Sequence, residues 1–295
     1  MPPRKQLPSP YFYPAGSDAK TALSVLTREI VATGSGPDGI IYTLELTNRP
    51  DNRLTPDLIN LGILDALDDV EREWRADRKG ELDGGPGTGA AALVTVGPQD
   101  AHKFYSNGLN LELAVSTPGF FRDVFHAMLG RIMCFPIPTV AAVNGHAFAG
   151  GIVLALAHDY RVLKDGQGRA GAMMCLNEVD FGARIPDVLL AIIKCKLPPS
   201  SFTPLALGER LTGQRAVSLG LANELANGGE AVLNVARQRA TALAPKAQAG
   251  VWGAIKEGMY SEHLPTIGKD EQLVQFDDEH AAAARLGQQP RSAKL

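Results

Sequence analysis

Cysteine is scarce in this chain of 295 residues: there are three, Cys134, Cys175 and Cys195, far apart and without a CxxC pair. That argues against a disulfide frame or a zinc knuckle, fits a reducing compartment, and leaves the three as small buried hydrophobes. Long apolar runs are missing too. No stretch reaches the roughly 20 residues a membrane helix needs. The proline-rich, polar start MPPRKQLPSPYFYPAGSD lacks the apolar core of a secretory signal. Nor does one sign of charge dominate. The 29 Lys and Arg against 32 Asp and Glu leave a net charge of -3 with no basic tract, which speaks against nucleic acid or an anionic membrane surface as the main partner. No repeat of fixed period is visible. What is abundant is apolar residues, 45% of the chain, enough for the core of a soluble globular protein with one large domain or two small ones.

Strand and helix patterns alternate through the first two thirds. Ile40 to Leu46 and Ala90 to Val96 read as strands, as do Thr139 to Val143 and Tyr160 to Leu163. Between them, Thr55 to Trp74 carries Leu58, Leu61, Leu64, Leu67 and Val70 at helical spacing, and Phe120 to Met133 reads as a further helix. Alternation of this kind is the signature of α/β layering. From about Pro186 the apolar periods are all helical: 188–194, 215–221, 230–243, 251–260 and 272–286. In the third of these, Leu233, Ala236, Ala240 and Leu243 form a narrow stripe, suited to packing on the α/β body or on a sister subunit.

The stretch NGHAFAGGIVLALAHD, Asn144 to Asp159, holds a glycine-started apolar helix with no nucleophile, acid or base of its own. A phosphate loop would need Lys and Ser/Thr where Ile152 follows the glycines, and a dinucleotide fingerprint needs another glycine spacing. What remains is a helix N-terminus bare of side chains at Gly150 and Gly151, where a ligand atom can approach backbone N–H groups and the positive end of the helix dipole. A second loop, KFYSNGLNLE, follows the strand at 90–96 and sets Gly108 at a turn able to aim another amide. Two converging amides are what a developing thioester enolate requires; losing one such donor costs about 3 kcal/mol of transition-state stabilisation.

The order FYSNGLNL, helix, IPTVAAVNGHAFAGGIVLALAHDYRV, CLNEVDFG, LTGQRAVSLGLANEL, with RPDNRLT as an early loop, resembles the crotonase superfamily of acyl-CoA enzymes over roughly 40–260. The resemblance implies an α/β fold: a crotonase-like spiral of ββα units with a C-terminal helical trimerisation region. The expected layout is an N-terminal lead over 1–25, partly disordered, a spiral core over 26–210, a helical region over 211–287 and a tail from 288. It also implies that Leu109 and Gly150 supply the oxyanion amides. Substrate contacts are implied at Ser106, Asn107, Gly108, Gly151, Val153 and Phe181, and no cofactor beyond the CoA of the substrate itself. Enoyl-CoA hydratases carry two glutamates. Here the first position is Val153 and the second is Glu178.

Adding water to a double bond divides work between two carboxylates, whereas moving a double bond needs one. The fragment EVDFGARIPD resembles plant-type 3-enoyl-to-2-enoyl-CoA isomerases, in which the matching glutamate is the acid/base, and the resemblance implies that role for Glu178. Apolar neighbours Val153, Leu176 and Phe181 are expected to raise its pKa. Asp180 and Asp187 are the alternative bases. A dienoyl-CoA isomerase would want acids at Val153 and at Pro186, and has neither. Hydration, thioester hydrolysis and a catalytically silent acyl-CoA binder remain as rivals. His126, His146 and His158 are read as structural. Asn110 stands where relatives usually have Asp, and Lys103 is a surface charge or a CoA-phosphate contact. The chain ends in Ala293, Lys294 and Leu295, one small-residue swap from the peroxisomal address Ser-Lys-Leu, so an import receptor and a homotrimer or hexamer complete the expected partners.

Overall fold

The computed structural model describes residues 9–269 apart from 35, 86, 102 and 167–170; the expected helix over 272–286 and the address at 293–295 lie outside them. The chain opens with an antiparallel meander of β1 (Tyr11–Tyr13), β2 (Ser24–Val31) and β3 (Gly39–Leu46). A helix follows, wound wide over Leu58–Leu64 and continuing as α1 (Asp65–Leu82).

Three times thereafter the chain lays one strand in a large sheet, one in a small sheet, and then a helix. The first turn is β4 (Ala91–Val96), β5 (Phe104–Ser106), α2 (Leu111–Ser116) and the helical stretch Phe120–His126 leading into α3 (Ala127–Met133). The second is β6 (Thr139–Val143), β7 (His146–Phe148) and α4 (Gly150–Ala157). The third is β8 (Tyr160–Asp165), β9 (Met174–Cys175), the single turn Glu178–Phe181 and α5 (Asp187–Lys196). The chain continues through α6 (Phe202–Ala206), α7 (Gly213–Ser218), β10 (Glu224–Asn227), α8 (Gly229–Leu243), α9 (Trp252–Met259) and α10 (Leu264–Ile267).

The large sheet runs β1-β2-β3-β4-β6-β8-β10, parallel from β3 onward, and the small sheet β5-β7-β9 is all parallel. This is the spiral of ββα units that the resemblance implied. Its large-sheet strands begin at residues 91, 139 and 160, so the turns differ in length and leave no fixed period to read.

Parallel strands covered on both faces read as near-continuous apolar runs, and β4, AALVTV, is buried at every position. One of its faces joins the main core through Ala91 and Leu93; the other, with Ala92, Val94 and Val96, packs under α8. The α8 stripe differs from the one read off the sequence. Val232, Ala236 and Ala240 are its buried row, while Leu233 only packs at the edge. Helix α4 is buried at all eight positions, as an all-round apolar helix must be.

Two boundaries also differ from expectation. The lead is structured from Tyr11, where β1 pairs with β2, and the buried Tyr13 donates its hydroxyl to Asp69 at 2.7 Å. The C-terminal third is not purely helical: β10 extends the large sheet beside β8, and Leu211 exchanges backbone hydrogen bonds with Met174.

Candidate active site

In the small sheet β5, β7 and β9 lie side by side in parallel, so their C-terminal ends open on one side, where α/β folds place ligands. The loop after β5 carries Gly108 and Leu109, that after β7 carries Ala149 and Gly150, and that after β9 carries Asn177 and Glu178. The first two loops touch. A Cβ added at Gly108 would sit 2.9 Å from Phe148 O and 3.1 Å from the Gly150 nitrogen, and φ there is +77°, so only glycine fits. Ala149 has φ 48° and ψ -121°, close to the first central position of a type II′ turn and glycine's territory. The chain thus turns sharply from β7 into α4 with Gly150 as the first helical residue.

The amides of Leu109 and Gly150 donate to no other described residue. For Leu109 the reason is its bridge to Leu54. Leu54 N donates to Gly108 O at 2.8 Å and Leu54 O accepts from Asn110 N at 3.4 Å, so these bonds flank Leu109 and its own N–H points away from Leu54. For Gly150 the N–H is among the orphan donors that open every helix.

Glu178 begins the turn after β9 and is 5% exposed, yet its Oε2 has no hydrogen-bond partner. Burial pushes its carboxyl up to about 6, partly offset by its own backbone N–H. Beside it Asn177 Oδ1 is likewise buried and unpartnered.

These groups share a cavity of about 310 Å³. Leu109, Gly150, Glu178, Asn107 and Phe181 line it, together with Arg53 and Asn177; Phe121, Phe125 and Leu189 form an inner apolar wall, and Leu111 and Val115 of α2 an outer one. Among the described residues Glu178 is its single carboxylate.

Four residues expected at the substrate stand elsewhere. Ser106 is fully buried behind the loop, donating its hydroxyl to Asn52 O at 2.8 Å and accepting from Gly108 N at 3.3 Å. Gly108 shapes the loop without lining the cavity. A Cβ at Gly151 would fall 2.2 Å from Ser106 O, so that glycine lets α4 pack on β5. Val153 is fully buried in the core, and of the apolar neighbours expected around Glu178 only Phe181 lines the cavity, 46% exposed.

The alternative bases are surface groups. Asp180 pairs with Arg210 at 2.9 Å and Asp187 with Arg184 at 2.6 Å, and neither lines the cavity. His146 accepts from Met173 N at 3.1 Å and stacks on Phe148. His158 is fully buried between Thr95 Oγ1 and Leu154 O, and burial lowers it to about 4. Asn110 caps α2 by accepting from Leu113 N at 3.2 Å, a task its amide performs as an aspartate would. Lys103 lies over the Phe104 ring, outside the cavity.

Sequence reading missed Arg53, Asn177, Phe121 and Phe125. The last two stand four apart on a helix that was legible, a spacing that puts both rings on one face; nothing local marks which face meets a ligand.

The enoyl-CoA hydratase/isomerase family model matches residues 93–273. Among curated proteins the chain is similar to the peroxisomal enoyl-CoA delta isomerase 2 of Arabidopsis thaliana, 29% identical over 248 residues that cover 80% of this chain and 95% of that one. It is also similar to a putative enoyl-CoA hydratase of Thermus thermophilus, 32% identical over 63% of this chain and 68% of the relative. Among solved structures, an enoyl-CoA hydratase of Mycobacterium ulcerans superposes with a TM-score of 0.59 at 25% identity, covering 81% of this chain and 94% of that one.

Proposed function

The chain belongs to the enoyl-CoA hydratase/isomerase family, and on that premise we propose that it moves the double bond of a 3-enoyl-CoA to the 2-position. The observation that carries this reading is Glu178: a buried carboxylate with an unpartnered Oε2, the single one among the described residues that line the cavity, beside two amide-bearing loops.

The Glu178 carboxylate takes a proton from C2 of the thioester. The electron pair left on C2 delocalises through the thioester carbonyl and the C3–C4 double bond, and the negative charge on oxygen meets the N–H groups of Leu109 and Gly150. Glu178 then returns the proton to C4, leaving the double bond between C2 and C3. Burial makes the carboxylate a stronger base toward a carbon acid, and the amides are aimed before charge develops. The relative from Arabidopsis that is named an enoyl-CoA delta isomerase supports this choice within the family.

Asn177 Oδ1, unpartnered at the same cavity, favours one second reading: a water held between Asn177 and Glu178 and added to a 2-enoyl-CoA. Product identity separates the two. Incubating the purified protein with a 3-enoyl-CoA and, separately, a 2-enoyl-CoA and resolving products by mass and chromatography yields 2-enoyl-CoA from the first for the isomerase; an unchanged 3-enoyl-CoA, with 3-hydroxyacyl-CoA from the second or free CoA from either, overturns it.

The name of the Arabidopsis relative places that protein in the peroxisome. On that likeness we assign the same compartment to this chain. A fluorescent fusion that stays out of peroxisomes removes that assignment. A homotrimer or hexamer is the assembly we expect, checked by light scattering.

A further inference from the structure

The early loop RPDNRLT brings to the cavity a cation that the chemistry above leaves without a task. Arg53 is the one Lys or Arg among the described residues that line it. Its Nη1 donates to Leu109 O at 3.2 Å, and its Nε faces Asp51 Oδ2 at 3.2 Å. Asp51 in turn accepts from Asn107 twice, at Oδ2 from the side-chain amide at 2.7 Å and at its carbonyl from the backbone at 3.0 Å. The Arg53 carbonyl accepts from Asn48 Nδ2 at 2.7 Å. The early loop is therefore tied along the strip that presents Leu109.

The Arg53 side chain is 43% exposed, so its ion pair with Asp51 adds little to stability. What it fixes is direction. Bonds to Leu54 are made by the residues on either side of Leu109, which turns both the N–H and the C=O of Leu109 to the opposite edge. On that edge the guanidinium takes the carbonyl, and the N–H is left to the cavity.

We propose that Arg53 is a positioning residue of the oxyanion site: anchored by Asp51, it pins the Leu109 carbonyl and thereby sets the direction of the Leu109 N–H. This rests on Leu109 and Gly150 being the enolate's donors. An enolate oxygen carries more charge than a thioester carbonyl, so a misdirected donor weakens the enolate state more than the ground state. Misplacement by about 1 Å is enough for effects of order 10²-fold.

The test compares two ligands in wild type, Arg53→Gln and Arg53→Lys. Acetoacetyl-CoA forms an enolate that absorbs in the near ultraviolet, and octanoyl-CoA stays in the thioester form. In wild type, acetoacetyl-CoA binds with the enolate absorbance. In Arg53→Gln its affinity falls at least about ten-fold and the absorbance is lost, while octanoyl-CoA affinity stays within about two-fold. Arg53→Lys, which keeps a donor but not the fork, recovers part of the signal.

Equal losses for both ligands overturn the proposal and make the guanidinium a contact to the CoA moiety. No change in either reduces it to a surface ion pair, and no enolate signal in wild type overturns it together with the donors. An intact enolate response without isomerisation of 3-enoyl-CoA removes only the isomerase reading.

Discussion

Asp159 and Glu178 are both nearly out of water, the first with a side chain 10% exposed and the second 5% exposed as a residue. They are treated in opposite ways. Asp159 accepts hydrogen bonds from Thr139 N at 2.9 Å, from Trp252 Nε1 at 3.0 Å and from Lys256 Nζ at 3.1 Å, and Lys256 is itself fully buried. It ties α9 to the start of β6. Nearby, burial and neighbouring cations push Lys196 down to about 8, so this region is cationic and Asp159 is its counter-charge. Glu178 has no such company: Oε2 is unpartnered, and burial acts on it almost alone. A satisfied buried carboxylate holds a fold together; an unsatisfied one destabilises the fold and is retained where a base is needed.

The contrast is sharpest in the matched substitutions. Glu178→Gln should lower isomerisation by about 10²- to 10⁴-fold or more, the range for a positioned acid/base, checked by steady-state turnover of a 3-enoyl-CoA. Asp159→Ala should instead cost about 3–5 kcal/mol of stability, because it strands the buried Lys256 charge; urea unfolding measures it.

A third test reads the cost of Glu178 itself. Its folded pKa of about 6 lies above the ordinary 4.5, so the penalty for ionising it is absent below about 4.5 and complete above about 6. At 1.36 kcal/mol per unit this is about 2 kcal/mol. Glu178→Gln should therefore gain up to that amount at pH 8 and nothing at pH 4; an equal shift at both pH values would break the comparison. Smallest is Ala149→Gly, where relief of the positive φ should raise stability by about 1 kcal/mol, read from thermal melts.

In the large sheet β4 and β6 were legible as nearly continuous apolar runs and β3 as a β-branched, alternating one, and the glycine helix because nothing polar interrupts it, while β2 and β10 were not read. Strands β5, β7 and β9 are two or three residues long, too short for any period, and β1 hides in a proline-rich lead. At the site, Glu178, Leu109 and Gly150 were named through family resemblance, and the structure brings them to one cavity. Val153, Ser106 and Gly151 were named through the same resemblance, but packing sends them into the core: a helix or strand turns neighbours along the chain to different faces. Arg53 was illegible because its partner Leu109 is 56 residues away.

The measurement that tests the central claim most directly is the pH dependence of kcat/KM for a 3-enoyl-CoA. With Glu178 acting as the base, the rate climbs as pH rises through about 6, the value to which burial pushes the carboxyl, and this limb disappears with the activity in Glu178→Gln. A profile flat across that range, or an acidic limb that persists in the variant, would contradict Glu178 as the base.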